Sequence, residues 1–121
     1  SAVQGPLLKL LNQAARPWLL ARLDHWAAVM GIDYRELKAS TAATRWGSCT
    51  RDGVIRISAY LLMTPERDID YVLVHELAHR RVFAHNRAFW ELVAAYLPDW
   101  QARRAELRGE GRRLRAMGFG K

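Results

Sequence analysis

The 121-residue chain is half hydrophobic, carries five tryptophans and one cysteine, and has a formal net charge of +7. That length and apolar content predict one folded domain with one core and exclude a disordered chain. A lone cysteine excludes an intrachain disulfide, and neither a membrane-spanning run of about 20 apolar residues nor a secretion signal is legible, so a cytoplasmic protein without membrane contact is expected.

Residues 6–30 place Leu7, Leu8, Leu10, Leu11, Leu19, Leu20, Leu23, Trp26, Ala27 and Met30 at helical spacing. Pro17 predicts a second helix start or a kink there, and Gly31 a C-terminal stop. Residues 34–40 read as a first strand, Thr44 to Cys49 as a second and Val54 to Ser58 as a third, with clear alternation. Thr50-Arg51-Asp52-Gly53 ends in Asp-Gly, which joins the last two strands as a hairpin. Thr64 as N-cap and Pro65 at the first helical position open a helix expected to run to Phe83 or Ala84. Glu66, Asp68 and Asp70 suit the positive end of its dipole. A turn at His85 and Asn86 follows, then a helix over Arg87–Leu97 closed by Pro98, and a last helix from Asp99 to Arg108 stopped by Gly109. Residues 109–121 are left as a basic tail. The order of elements predicts the α+β class: N-terminal helices, a small three-stranded sheet with a hairpin, a central helix and C-terminal helices.

The central helix carries the chemistry. His75-Glu76-Leu77-Ala78-His79, with His85 six residues further on, puts three of the four histidines and a carboxylate into eleven residues. Positions i and i+4 share a helix face, so His75 and His79 can bind one metal ion, and His85 can arrive from just past the helix. Glu76 then stands at the edge of that site, where it can take a proton from a metal-bound water. Ile69, Val72, Leu73, Val74, Leu77, Ala78, Val82 and Phe83 spread around most of the helix circumference, which marks a buried helix. Buried imidazoles and a buried carboxylate need partners, and a metal ion supplies them.

The charge is uneven: residues 101–121 hold six Arg and one Lys against two Glu, a net +5. Such a segment could meet nucleic acid, nucleotide phosphates or an acidic surface, but the favoured reading is a solvated helix end, because no aromatic residues interleave the arginines. Trp46, Phe89 and Trp90 read as core, with Phe89 and Trp90 anchoring the turn that presents His85. Cys49 reads as a small buried residue and His25 as an ordinary, partly exposed histidine. Asp70 is a candidate acceptor for a ligand imidazole, and Tyr71, Tyr96 and Arg45 are candidates for stabilising developing negative charge.

Trp46-Gly47-Ser48-Cys49, the Asp-Gly hairpin, Ile69-Asp70-Tyr71-Val72-Leu73-Val74 running into the His-Glu motif, His85 and Phe89-Trp90 together resemble the YgjP-like metal-dependent hydrolases. Those proteins fall in the zincin-like group with SprT-like and WLM-type metalloproteases. The resemblance extends from about Pro17 to Leu107. It implies a compact α+β zincin-like fold, zinc held by His75, His79 and His85, and Glu76 as the catalytic glutamate. Members of the family usually carry a β-rich segment before the matching region, and often an asparagine where this chain has Ser58.

The leading functional expectation is a zinc-dependent metallopeptidase acting on a peptide or protein, with strand Val54–Ser58 offering an edge to the substrate. The alternatives are a nucleoside triphosphate (UTP-type) pyrophosphohydrolase, which the resemblance allows, and a nucleic-acid-recruited SprT/WLM-like protease. A structural zinc site in an interaction domain is the non-enzymatic alternative, and three histidines rather than four closed ligands speak against it.

Overall fold

The computed structural model of the chain describes residues 4–41 and 45–118. Helix α1 (Gln4–Met30) leads into strands β1 (Glu36–Ser40), β2 (Gly47–Cys49) and β3 (Val54–Ser58), then a 3-10 helix (Ala59–Met63). Helices α2 (Glu66–Ala78), α3 (Arg87–Tyr96) and α4 (Trp100–Ala116) complete the α+β architecture. Among the described residues no helix is long and apolar enough to cross a membrane.

Helix α1 passes through Pro17 as one helix, so no second helix starts there. Proline there forfeits a backbone bond, at a cost of about 3 kcal/mol. Leu8 before it, and Leu19, Leu23 and Met30 after it, are all buried. At about 1.5–3 kcal/mol for each buried leucine, one continuous apolar stripe outweighs the missing bond. The helix ends where Gly31 takes φ +64°. Its N–H reaches Ala28 O and that of Ile32 reaches Ala27 O, the paired bonds of a Schellman cap.

The sheet has the order β1-β3-β2. β2 and β3 form the expected antiparallel hairpin, with Gly47 opposite Ile57, while β1 lies parallel to β3, with Leu37 opposite Ile55. The hairpin strand begins at Gly47, not near Thr44, which lies outside the described residues. Because β3 is the central strand, both its edges are taken, and the edge expected there for a substrate is not available. The outer strand β2 is the one left open on the hairpin side. It packs close on α2: a Cβ on Gly47 would stand 3.0 Å from Val72 Cγ1 and 3.1 Å from Arg56 O.

Ser58 Oγ accepts the Tyr60 N–H at 3.2 Å and caps the 3-10 helix, an element the sequence reading did not foresee. Thr64 serves that helix too. Its hydroxyl donates to Leu61 O at 2.7 Å, so it does not cap α2, and Pro65 takes that position with no side-chain bond. Helix α2 stops at Ala78, about one and a half turns before the expected Phe83 or Ala84. The arginines that follow hold the turn: Arg80 donates to Asp33 O and Arg51 O, and Arg81 to Met30 O and Gly31 O. Helix α2 is buried on nearly every side, through Ile69, Val72, Leu73, Val74, Leu77 and Ala78. Helix α4 overruns its expected end at Gly109 and continues to Ala116. Glycine inside a helix costs about 1 kcal/mol, and the buried stripe Leu107, Gly111 and Leu114 offsets it. The segment expected as a tail from 109 is therefore helical over most of its length.

Candidate active site

His75 lies in the last turn of α2 and His79 is its C-cap, still with helical dihedrals (φ −63°, ψ −18°), so the two rings share one face. His85 comes from the turn before α3. Its Nε2 lies 3.2 Å from His75 Nε2 and 3.0 Å from His79 Nε2. Ligand atoms of all three lie within 4.8 Å of one another, the group among the described residues that could hold a metal ion. Three imidazole nitrogens so placed form a donor set for one cation.

The far sides of the rings set their tautomers. His79 Nδ1 is 3.0 Å from Val82 O, and a carbonyl only accepts, so Nδ1 carries the proton and Nε2 keeps its lone pair. His75 Nδ1 faces the Tyr71 hydroxyl at 3.4 Å. Aromatic rings fix the positions. Phe89, fully buried, stacks on His79 with centroids 4.4 Å apart and meets His75 and His85 edge-on. Trp90 lies parallel to His85 at 6.0 Å and stacks on Trp100 at 4.3 Å. Asn86 Oδ1 accepts the Phe89 N–H at 3.1 Å and starts α3 directly after His85. The third histidine thus sits on a capped, ring-packed turn.

Burial, followed by the neighbouring His79, His85 and Arg104, holds His75 down to about 3, and burial likewise lowers His79. Both rings are therefore neutral donors at physiological pH, as metal binding requires. Glu76 is 5% exposed, and burial pushes its carboxyl up to about 8 against the opposing pull of Arg45. Two cavities meet at this point. One, of about 350 Å³, is bordered by Arg45, Gly47, Tyr71 and Arg104; the other by Ser48, Cys49, Phe83 and Ala84. His75 and Glu76 line both.

The remaining candidates separate cleanly. Asp70 does not orient an imidazole: it binds Arg22 at 2.7 Å and the Trp26 indole at 3.1 Å, tying α2 to α1. Tyr71 is buried, borders the first cavity and places its hydroxyl 3.4 Å from His75 Nδ1. Tyr96 packs on the core and borders neither cavity, whereas Arg45 borders both. Cys49 lies outside the histidine group; burial pushes its thiol up to about 11, and it donates to Thr50 O. His25 packs edge-on to Trp26 in α1, away from the three histidines. Missed from the sequence were Arg104 and Arg108, which border the first cavity from α4. Their i, i+4 spacing beside the buried stripe was the signal available.

A small α+β scaffold that brings three imidazoles and a buried glutamate to an open cleft has the make-up of a metal-dependent hydrolase. The chain belongs to the YgjP-like family: the family model described as "YgjP-like, metallopeptidase domain" matches residues 2–110. Two solved structures share the fold. The metallopeptidase zymogen of Pyrococcus abyssi abylysin superposes with a TM-score of 0.70 at 19% identity, covering 76% of this chain and 93% of that one. The metallopeptidase zymogen of Methanocaldococcus jannaschii jannalysin gives 0.66 at 13%, covering 76% and 95%. No curated protein matches the chain.

Proposed function

We propose that this chain is a zinc-dependent metallopeptidase, a single catalytic domain in which His75, His79 and His85 hold the ion and Glu76 is the general base. The observation that carries this reading is the convergence of the three Nε2 atoms beside a buried carboxylate where two open cavities join. Three imidazole nitrogen donors with an open side fit zinc in a catalytic rather than a closed structural site. A zinc ion held there would supply a Lewis acid for the scissile carbonyl and lower the pKa of a water at its open position.

The protein's own groups do the rest. Val82 O accepts from His79 Nδ1 and the Tyr71 hydroxyl from His75 Nδ1, which keeps both rings aimed into the site. Glu76 would take a proton from the attacking water and return it to the leaving nitrogen, and a zinc ion beside it would favour the ionised carboxylate that this role needs. Arg45, on the rim of both cavities, is the donor for negative charge developing on the carbonyl oxygen. An extended substrate strand adds to the outer edge of β2, whose Gly47, Ser48 and Cys49 line the cleft.

Metal analysis tests the site directly. About one zinc per chain is expected in the wild type and in Glu76→Gln, and none in His79→Ala. Hydrolysis of an unfolded protein should fall by at least about 10²-fold in Glu76→Gln. Unchanged hydrolysis in that variant would remove Glu76 from its role, and metal-free protein with intact histidines would remove the site. Turnover of UTP in place of the protein substrate would move the reading to nucleotide hydrolysis.

A further inference from the structure

The arginines of α4 divide by face. At 100° per residue, Arg104, Arg108, Arg112 and Arg115 fall within an arc of about 80°. All four are exposed and, among the described residues, none forms an ion pair. The opposite face holds the paired charges: Glu106 with Arg67, Glu110 with Arg113, and Arg103 with Asp99. Arg104 and Arg108 border the cavity of His75 and Glu76, and Arg108, Arg112 and Arg115 border a second one that continues from it. Arg45 and Trp46 lie on the rim of both. An unneutralised row of cations therefore leads away from the reactive centre along one side of the cleft.

We propose that this row is a substrate subsite for acidic side chains, so that the enzyme cleaves peptides carrying alternating Asp or Glu on one side of the scissile bond. The inference rests on the peptidase reading above. Arg104, Arg108 and Arg112 are each about 6 Å apart along the helix, and an extended peptide repeats its same-face side chains every 6.6 Å or so. Guanidinium groups bind carboxylates as planar forks, and a row of them selects charge and register together. At its other end the cleft is bordered by Phe83, Ala84, Ser48 and Cys49, with the single guanidinium of Arg51 over the Phe83 ring at 4.5 Å and no row of cations. A substrate with repeated acidic residues at the α4 end matches the row. A single nucleic-acid strand would match the charge but not the surface. Among the described residues Trp46 is the indole lining these cavities, and Trp90, under Arg104, is already stacked on Trp100.

The test separates binding from cleavage. In Glu76→Gln protein, binding of a decapeptide of alternating Glu and Ala is followed by tryptophan fluorescence against its Gln-Ala counterpart. The acidic peptide should bind on the order of tenfold more tightly at low salt, with the preference shrinking as salt rises. The combined Arg104→Gln, Arg108→Gln and Arg112→Gln variant should lose the preference while keeping its thermal unfolding midpoint. Arg108→Glu alone should shift the preference toward a Lys-Ala peptide. Equal binding of the acidic and Gln peptides, or a preference that survives the triple change, overturns the inference. Displacement of the acidic peptide by a single-stranded oligonucleotide at lower concentration overturns it in favour of nucleic acid. Cleavage-site profiling of the active enzyme on a peptide library should show acidic residues at alternate positions on one side only. Binding preference without any peptide cleavage would uphold the acidic subsite and sink the peptidase reading instead.

Discussion

Asp68 and Glu76 stand just over two turns apart on α2, both buried and both with carboxyl groups pushed toward the protonated form. Burial is the main cause in each case. For Asp68 it is reinforced by the neighbouring carboxylate of Glu106, itself held by Arg67. For Glu76 it is opposed by Arg45 across an open cleft. One acid is closed in beside the Glu106 carboxylate of α4, with no hydrogen-bond partner on either oxygen; the other faces a cavity and three ring nitrogens. A raised pKa and burial are thus common to a structural acid and a candidate catalytic one. Access to the cleft and the donors around it distinguish the two.

The comparison breaks most readily at the ring cluster that serves only the histidine end. Phe89→Ala should cost about 3–5 kcal/mol in chemical denaturation and loosen zinc retention as well, since Phe89 packs on all three imidazoles. A stability loss with unaltered zinc affinity would mean that the ring does not position the histidines. Tyr71→Phe takes the hydroxyl from His75 and should weaken zinc binding roughly tenfold, measured by chelator competition, while leaving the fold intact. The smallest effect belongs to Asp68→Asn. An acid whose pKa is raised on folding stabilises fully below its ordinary value, and that contribution is lost as pH rises through the folded value. The amide should therefore stabilise the protein by about 1 kcal/mol at pH 8 and by nothing near pH 4, with zinc content unchanged. A drop in zinc content or peptide cleavage in Asp68→Asn would erase the distinction between the two ends.

Local pattern made much of this legible. The burial of α2 followed from apolar residues all round it, the hairpin from Asp-Gly, and the grouping of His75, His79 and His85 from i, i+4 spacing plus one turn. The readings that failed depended on partners distant in sequence. Asp70 looked free to serve a histidine until Arg22 and Trp26 of α1 were found on it. Val54–Ser58 looked like an edge because nothing local announces the parallel pairing of β1. Gly109 looked like a stop because the burial of Leu107, Gly111 and Leu114, which carries α4 onward, is tertiary. Arg112 and Arg115 were hidden for the same reason: only the continuation of that helix carries them onto the wall that Arg104 and Arg108 begin.

The tight seat of Gly47 against Val72 has a mechanical consequence. With no room for a methyl group between them, the strand that would guide a substrate and the helix that carries His75 and Glu76 are locked at a fixed spacing. Neither can move closer to the other, so the groups that cut keep a minimum distance from the strand that would hold the bond. Widening of the cleft to admit a chain falls instead to the opposite wall, where α4 meets it with long, exposed arginine side chains.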